Sequence, residues 1–275
     1  MPTQHAGPPL LCKVEEASSL FCALGSPAGS QVTLQLSQAQ RELTVKVVYY
    51  GPGLSGKTTN LQMIHRKVQP SARGRLLTVE TRDDRTLFFD LLPVFFSAAS
   101  GYRVKVKLFT VPGQIVHNAT RRVVLQGADA VAFIADSQRS AVAANNAYWK
   151  SLHDDMLENG LAENEVPVVI QFNKRDLPDT KSDDEIEETR QRGKEPIIGA
   201  VAIRGEGVLE TLHSVLQLAY RQLDTRSQLS KHIGIDETTF LGQIFSRIDV
   251  RGTQLERDAR FRSGNAPSQP AEESK

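Results

Sequence analysis

The chain has 275 residues, a hydrophobic content of 40% and a formal net charge of +1. That length allows one substantial α/β domain with extensions, and the near-zero charge excludes a global electrostatic bias towards nucleic acid or an anionic membrane. Two cysteines, Cys12 and Cys22, make no disulfide framework and fit a reducing, cytosolic setting, and no apolar run approaches the ~20 residues of a membrane helix.

Residues 1–40 mix Gly, Ser, Pro and Gln and read as a partly disordered N-terminal extension, in which the alternation of QVTLQL suggests an edge strand. Lys13, Glu15 and Glu16 interrupt any signal-peptide core after Leu10 and Leu11. Met1-Pro2-Thr3 is no myristoylation start, and the closing AEESK is no prenylation box.

From 41 to 224 the pattern is that of a doubly wound α/β domain, whose ligand site lies at the carboxyl ends of its strands. KVVYY is strand-like, and GPGLSGKTTNLQ follows it at residues 51–62 with helix-like TTNLQMIHRKV beyond. RTLFFDLLPV and YRVKVKLFTV read as two further strands. GADAVAFIAD and VPVVIQF are near-continuous apolar runs, as expected of strands covered on both faces. SAVAANNAYWKSLHDDMLENG has helical length and stops at Gly160, KSDDEIEETRQRG reads as a solvated helix, and PIIGAVA as a short buried strand. GEGVLETLHSVLQLAYRQL is an amphipathic helix. Residues 225–250 carry an extra helix with the apolar stripe Phe240, Leu241, Ile244, Phe245 and Ile248 and Asp236 as its cap. That stripe can fold back on the domain, dock to a partner, or, with only Arg247 and Arg251 beside it, meet a membrane. Residues 251–275 are polar and read as a disordered tail.

Four motifs carry chemistry. Gly51, Gly56, Lys57 and Thr58 fit G-x-x-x-x-G-K-[ST], a P-loop NTPase signature. In it backbone N–H groups and the helix N-terminus cradle phosphate, the lysine reaches the β- and γ-phosphates, and the threonine ligates Mg²⁺. QFNKRDLP contains N-K-x-D after an apolar strand. The Asp176 carboxylate can accept two hydrogen bonds from guanine N1–H and the 2-amino group, a donor pair adenine lacks. Asn173 can bond the base or tie its loop to the phosphate loop, and the Lys174 stem can lie over the base. In TVPGQ, Gly113 allows close approach to a γ-phosphate and Gln114 can orient the attacking water; in TRDDRTLFF, Thr86 can bond Mg²⁺ and the γ-phosphate as part of a switch segment.

GPGLSGKTTNLQ, DRTLFFDLLPV, TVPGQ, FIADSQ and QFNKRDLP together resemble the MglA family of bacterial Ras-like GTPases, over roughly residues 43–224. The resemblance implies a Ras-like, mostly parallel sheet with one antiparallel strand pair, and a cytoplasmic switch for cell polarity and gliding motility that is recruited to a cell pole. It implies that Gly53, Ser55, Gly56, Lys57, Thr58 and Thr59 hold the phosphates and Mg²⁺ of GTP or GDP, and that Thr86 senses the γ-phosphate. Arg85 becomes an arginine finger in the same chain, Gln114 positions water, and Asn173, Lys174 and Asp176 read guanine. Ala200–Ala202, with Ile203 following, stands where other GTPases have S-A-K, so the Ala202 backbone contact alone carries over. Thr110 stands where Ras-type enzymes have the aspartate of D-x-x-G; Asp90 supplies the missing carboxylate or is an ordinary strand aspartate. The implied partner is a roadblock-type, MglB-like activating homodimer, with effectors and exchange factor unidentified, no nucleic acid and no integral membrane segment. The alternative is a non-hydrolysing module that uses guanine nucleotide as a fold ligand, against which Arg85 and Gln114 argue. A metabolic kinase is a weaker rival, disfavoured by the guanine-reading motif.

Overall fold

A computed structural model describes residues 35–37, 41–78, 90–97, 101–112, 118–161 and 165–262. Its centre is one sheet in the order β3-β4-β5-β2-β6-β7-β8. The strands are β2 (Glu42–Tyr50), β3 (Leu77–Thr78), β4 (Asp90–Ser97), β5 (Arg103–Thr110), β6 (Ala130–Asp136), β7 (Val168–Asn173) and β8 (Ile197–Gly199). β5, β2, β6, β7 and β8 are parallel. Among the described residues the expected single antiparallel pair becomes three: β4 on β5, β3 on β4, and β1 (Gln35–Ser37) on the first residues of β2. β1 takes the place beside Glu42–Thr44 that β6 takes further along, beside Val47–Tyr50, so β2 stays flanked on both sides.

The helices are α1 (Lys57–Lys67), α2 (Asn118–Leu125), α3 (Val142–Glu158), α4 (Asp183–Arg192), α5 (Val208–Ser227), α6 (Leu229–His232), α7 (Glu237–Phe245) and α8 (Gln254–Arg262). Strand alternation separates two cores. Leu43, Val45, Val47 and Tyr49 of β2 pack with α1, α5 and α7 on one face, while Val48 and Tyr50 pack with α2, α3 and α4 on the other. Local signals set the helix ends. Ser182 and Glu185 form a reciprocal capping box on α4, Asp236 accepts from the Thr239 N–H at 2.7 Å to start α7, and Gly160 follows α3 with φ 70°.

Phe240, Leu241, Ile244 and Ile248 are buried in the α1/α5 core, and Phe245 is half-buried against the His213 ring. Of the three readings of this stripe, intramolecular packing is the one observed. The tail read from residue 251 as disordered is instead helical over Gln254–Arg262, because Leu255 packs on the core and Glu210 of α5 accepts from the Gln254 N–H at 2.8 Å. No helix among the described residues is long and apolar enough to cross a membrane.

Candidate nucleotide site

The parallel strands deliver their carboxyl ends to one edge, where Tyr50, Thr110, Asp136 and Asn173 are the last residues of β2, β5, β6 and β7. The phosphate loop leaves β2 there. Gly51 has φ 140°, and a Cβ on it would lie 2.3 Å from the Ile134 carbonyl oxygen; Gly56 has φ 102°, and a Cβ on it would lie 2.1 Å from Asn173 Nδ2. Both glycines are therefore dictated by backbone conformation and by space. Gly56 begins α1 with no side-chain cap, so the first-turn N–H groups of that helix stay available to an anion.

Lys57 is buried, and its ammonium donates to the carbonyls of Gly51 at 2.9 Å and Pro52 at 2.6 Å. Burial, reinforced by the Arg121 cation, pushes it down to about 7. The Ser55 hydroxyl is buried with no hydrogen-bond partner among the described residues. A buried cation, an orphaned hydroxyl and an uncapped helix start around two obligatory glycines fit a polyphosphate. Thr58 is exposed and Thr59 half-buried on the first turn of α1, and Gly53 is exposed in the loop.

Beneath the loop, Asn60 of α1 and Gln171 of β7 exchange two amide hydrogen bonds of 2.9 and 3.0 Å, and Gln171 also donates to Thr211 of α5 at 2.8 Å. All three residues are fully buried, so this network fixes α1 to the sheet edge.

Of the two roles open to Asn173, the structure displays the tie. Its Nδ2 donates to the Ser55 carbonyl at 2.8 Å, and its Oδ1 accepts from the Ala202 N–H at 2.9 Å. The Ala202 amide, expected to face the base, is thus engaged with Asn173. Lys174 has φ 65°, and its ammonium pairs with Asp136 Oδ2 at 2.6 Å. The backbone of Asp136 is held at both N–H and C=O by Asn145 of α3, at 3.1 and 2.8 Å. The Asp176 side chain is 21% exposed and lies 3.8 Å from Arg204, which is 61% exposed. Ile203 is 73% exposed, so the V-A-I segment presents apolar surface beside the N-K-x-D turn.

Arg85, Thr86, Gly113 and Gln114 lie outside the described residues. Asp90 is the first residue of β4, and the Leu91↔Phe109 register, continued by one, sets its backbone opposite Thr110. Thr110 itself is buried beside Tyr49 of β2.

Two groups of residues escape sequence reasoning. Asp136 carries a signal, being an acid at the end of the apolar run AVAFIAD. The other is a buried charge cluster: Tyr50 donates to Asp155 Oδ2 at 2.7 Å, and Arg121 and Arg122 of α2 each approach Asp155 at 3.4 Å. It binds α2 and α3 to the residue that enters the phosphate loop, and nothing local in the sequence marks it. A cavity of about 310 Å³ between α3 and α4, walled by Phe133, Trp149 and Phe172, includes none of the phosphate-loop residues.

No family model matches the chain. It is 42% identical over 188 residues to the mutual gliding-motility protein MglA of Myxococcus xanthus (strain DK1622), a match that covers 68% of this chain and 96% of that protein.

Proposed function

The chain belongs to the MglA family of Ras-superfamily small GTPases, and on that premise we propose that it is a molecular switch that binds and hydrolyses GTP and acts in gliding motility or cell polarity. The observation that carries this reading is the junction made by Asn173, which joins the phosphate loop at Ser55 to the N-K-x-D turn and to Ala202. One residue thereby holds the phosphate-binding and base-reading loops at a fixed separation, as a single guanine nucleotide requires.

In this reading Gly51, Gly53, Ser55, Gly56, Lys57, Thr58 and Thr59 hold the phosphates, and Gly113 and Thr86 meet the γ-phosphate. Asp176 accepts from guanine, with Lys174 aimed by Asp136 and Ala202 backing the base. Mg²⁺ would be held by Thr58, Thr86 and Asp90, and when bound it neutralises charge on the phosphates. Arg85 neutralises charge on the transferred group and Gln114 holds the attacking water. Phosphoryl transfer needs alignment more than covalent chemistry, so slow intrinsic turnover and stimulation by a roadblock-type, MglB-like homodimer follow from ordering these two residues. Loss of the γ-phosphate changes the surface offered to effectors. The cell pole is the proposed place of action.

The experiment is base choice. Asp176→Asn exchanges an acceptor for an amide, and nucleotide competition is expected to show a preference moved from guanine towards xanthine. Undiminished GTP binding by Asp176→Asn overturns the base-reading role.

A further inference from the structure

The C-terminal segment does more than cover apolar surface. After α7 the chain pairs with the end of the phosphate-binding helix α1: the Gln69 N–H donates to the Arg247 carbonyl at 2.9 Å, and the Asp249 N–H donates to the Lys67 carbonyl at 2.8 Å. These bonds flank an antiparallel bridge between Val68 and Ile248, both buried. Two weaker contacts of 3.4 Å run from Lys67 to the Arg251 carbonyl and from the Gln69 amide to the Ser246 carbonyl. Ile244 and Ile248 meet Val94 of β4, Val106 and Leu108 of β5, and Leu212 and Leu216 of α5 around a gap of only about 10 Å³. Glu237 fastens the start of α7 to Arg221 and Gln217 of α5, and Tyr220 donates to the Ile235 carbonyl at 2.5 Å.

The groove between α1, α5 and β4 thus fits a helix presenting Phe-Leu-x-x-Ile, and its occupant is this chain's own residues 236–249. The 188-residue match to MglA leaves about a third of this chain outside it, and the motifs of the nucleotide site all precede residue 225.

We infer that this segment is a strap, acting in cis, that sets how long nucleotide is retained, an inference that rests on the guanine-nucleotide reading above. α1 is a continuous helix from Lys57 to Lys67. Its first turn is the phosphate site and its last turn is the strap's anchor. A helix moves as a rod, so fixing one end restrains the other. Release of bound phosphates requires the loop and the first turn of α1 to loosen, and the strap resists that at Val68. The same residues back β4 through Val94.

Val68 and Ile248 form a non-hydrogen-bonded antiparallel pair, whose Cα atoms stand about 4.5 Å apart, within the span of a disulfide. The double variant V68C/I248C, in a C12S/C22S background, locks the strap on oxidation and frees it on reduction. Release of mant-GDP from the full chain, chased with excess GDP, is expected to be slower in the oxidised than in the reduced form of the same protein. Ile244→Ala, which loosens the strap from β4 and α5, is expected to speed release at least about tenfold, a part of the roughly 30-fold or more by which truncating a core isoleucine weakens a packed segment. If Ile244→Ala does not fold, the oxidised and reduced forms still decide. Equal release from those two forms overturns the strap inference alone. A parent protein that binds no mant-GDP overturns the nucleotide reading, and the strap's role falls with it.

Discussion

Lys57 has a consequence beyond placing charge. Its folded value of about 7 lies below the usual 10.5, because burial disfavours the ammonium. Between those values the unfolded chain binds more protons than the folded one, so this group adds stability as pH rises through that window and withdraws it as pH falls towards about 7. A polyphosphate beside Lys57 favours the ammonium and raises its pKa again. GDP binding at pH 8 is therefore expected to take up a proton. Calorimetry in two buffers of different ionisation enthalpy reads this directly, and enthalpies that do not depend on the buffer would show that Lys57 gains no proton on binding, being already an ammonium on the Gly51 and Pro52 carbonyls or standing away from the phosphates. Arg85→Ala and Gln114→Ala belong to the same scale. Each is expected to bind GTP normally and to lose about 10³-fold or more of activated hydrolysis in single turnover with a cognate roadblock protein. An unchanged rate for Arg85→Ala excludes it as the finger. The sequence displays Gly51, Gly56, Lys57 and the N-K-x-D residues because a fixed spacing encodes them. It leaves Asn173 with two roles, since only the fold decides whether the amide reaches Ser55 or open space. Asp136 stays hidden as a positioning residue because its partner Lys174 lies on another strand end, 38 residues away.

Among the elements, periodicity reveals α1, α3, α4, α5 and α7 and the buried parallel strands, where local pattern and tertiary role agree. α2 goes unread because it is eight residues long, little more than two turns, too short for its apolar spacing to stand out. α8 goes unread because its start is held from outside, by Glu210, and a single leucine packs beneath it. The β3 pairing is two residues long, too short for alternation to signal, whereas β1 falls at the end of QVTLQL, whose alternation suggests an edge strand and whose first four residues lie outside the described residues. The Asp155 cluster shows how elements far apart in sequence depend on one charge. Arg121 is 2% exposed and the Asp155 side chain 5%, so removing the carboxylate takes away the anion that Arg121 pairs with and the acceptor of the Tyr50 hydroxyl. Asp155→Ala is expected to destabilise the protein by about 3–5 kcal/mol, the range for breaking one half of a buried ion pair. Urea unfolding of the GDP-bound protein measures it. A loss of about 1 kcal/mol or less would mean that Arg121 relaxes onto other partners and that α2 is not held through Asp155.

At the scale of the molecule, the division into a GTPase domain, an extra helix and a tail describes the sequence better than it describes the packing. Phe240, Leu241, Ile244 and Ile248 belong to the same buried cluster as Leu61 and Ile64 of α1 and Val215 and Leu216 of α5. Fully burying such side chains contributes roughly 1.5–3 kcal/mol each before entropy costs. A segment bound that strongly is not expected to open as an independent unit while the domain remains folded. Native-state hydrogen exchange on the GDP-bound full chain tests this. The amides of Glu237–Phe245 are expected to approach the protection of Val208–Ser227 and to exchange with them in the same opening event. Protection that falls off in α7 at much lower opening free energy than in α5 would make the C-terminal segment a separate foldon. The buried stripe would then be a docked element in equilibrium with a released one, and the shared core would be a property of one state of the protein.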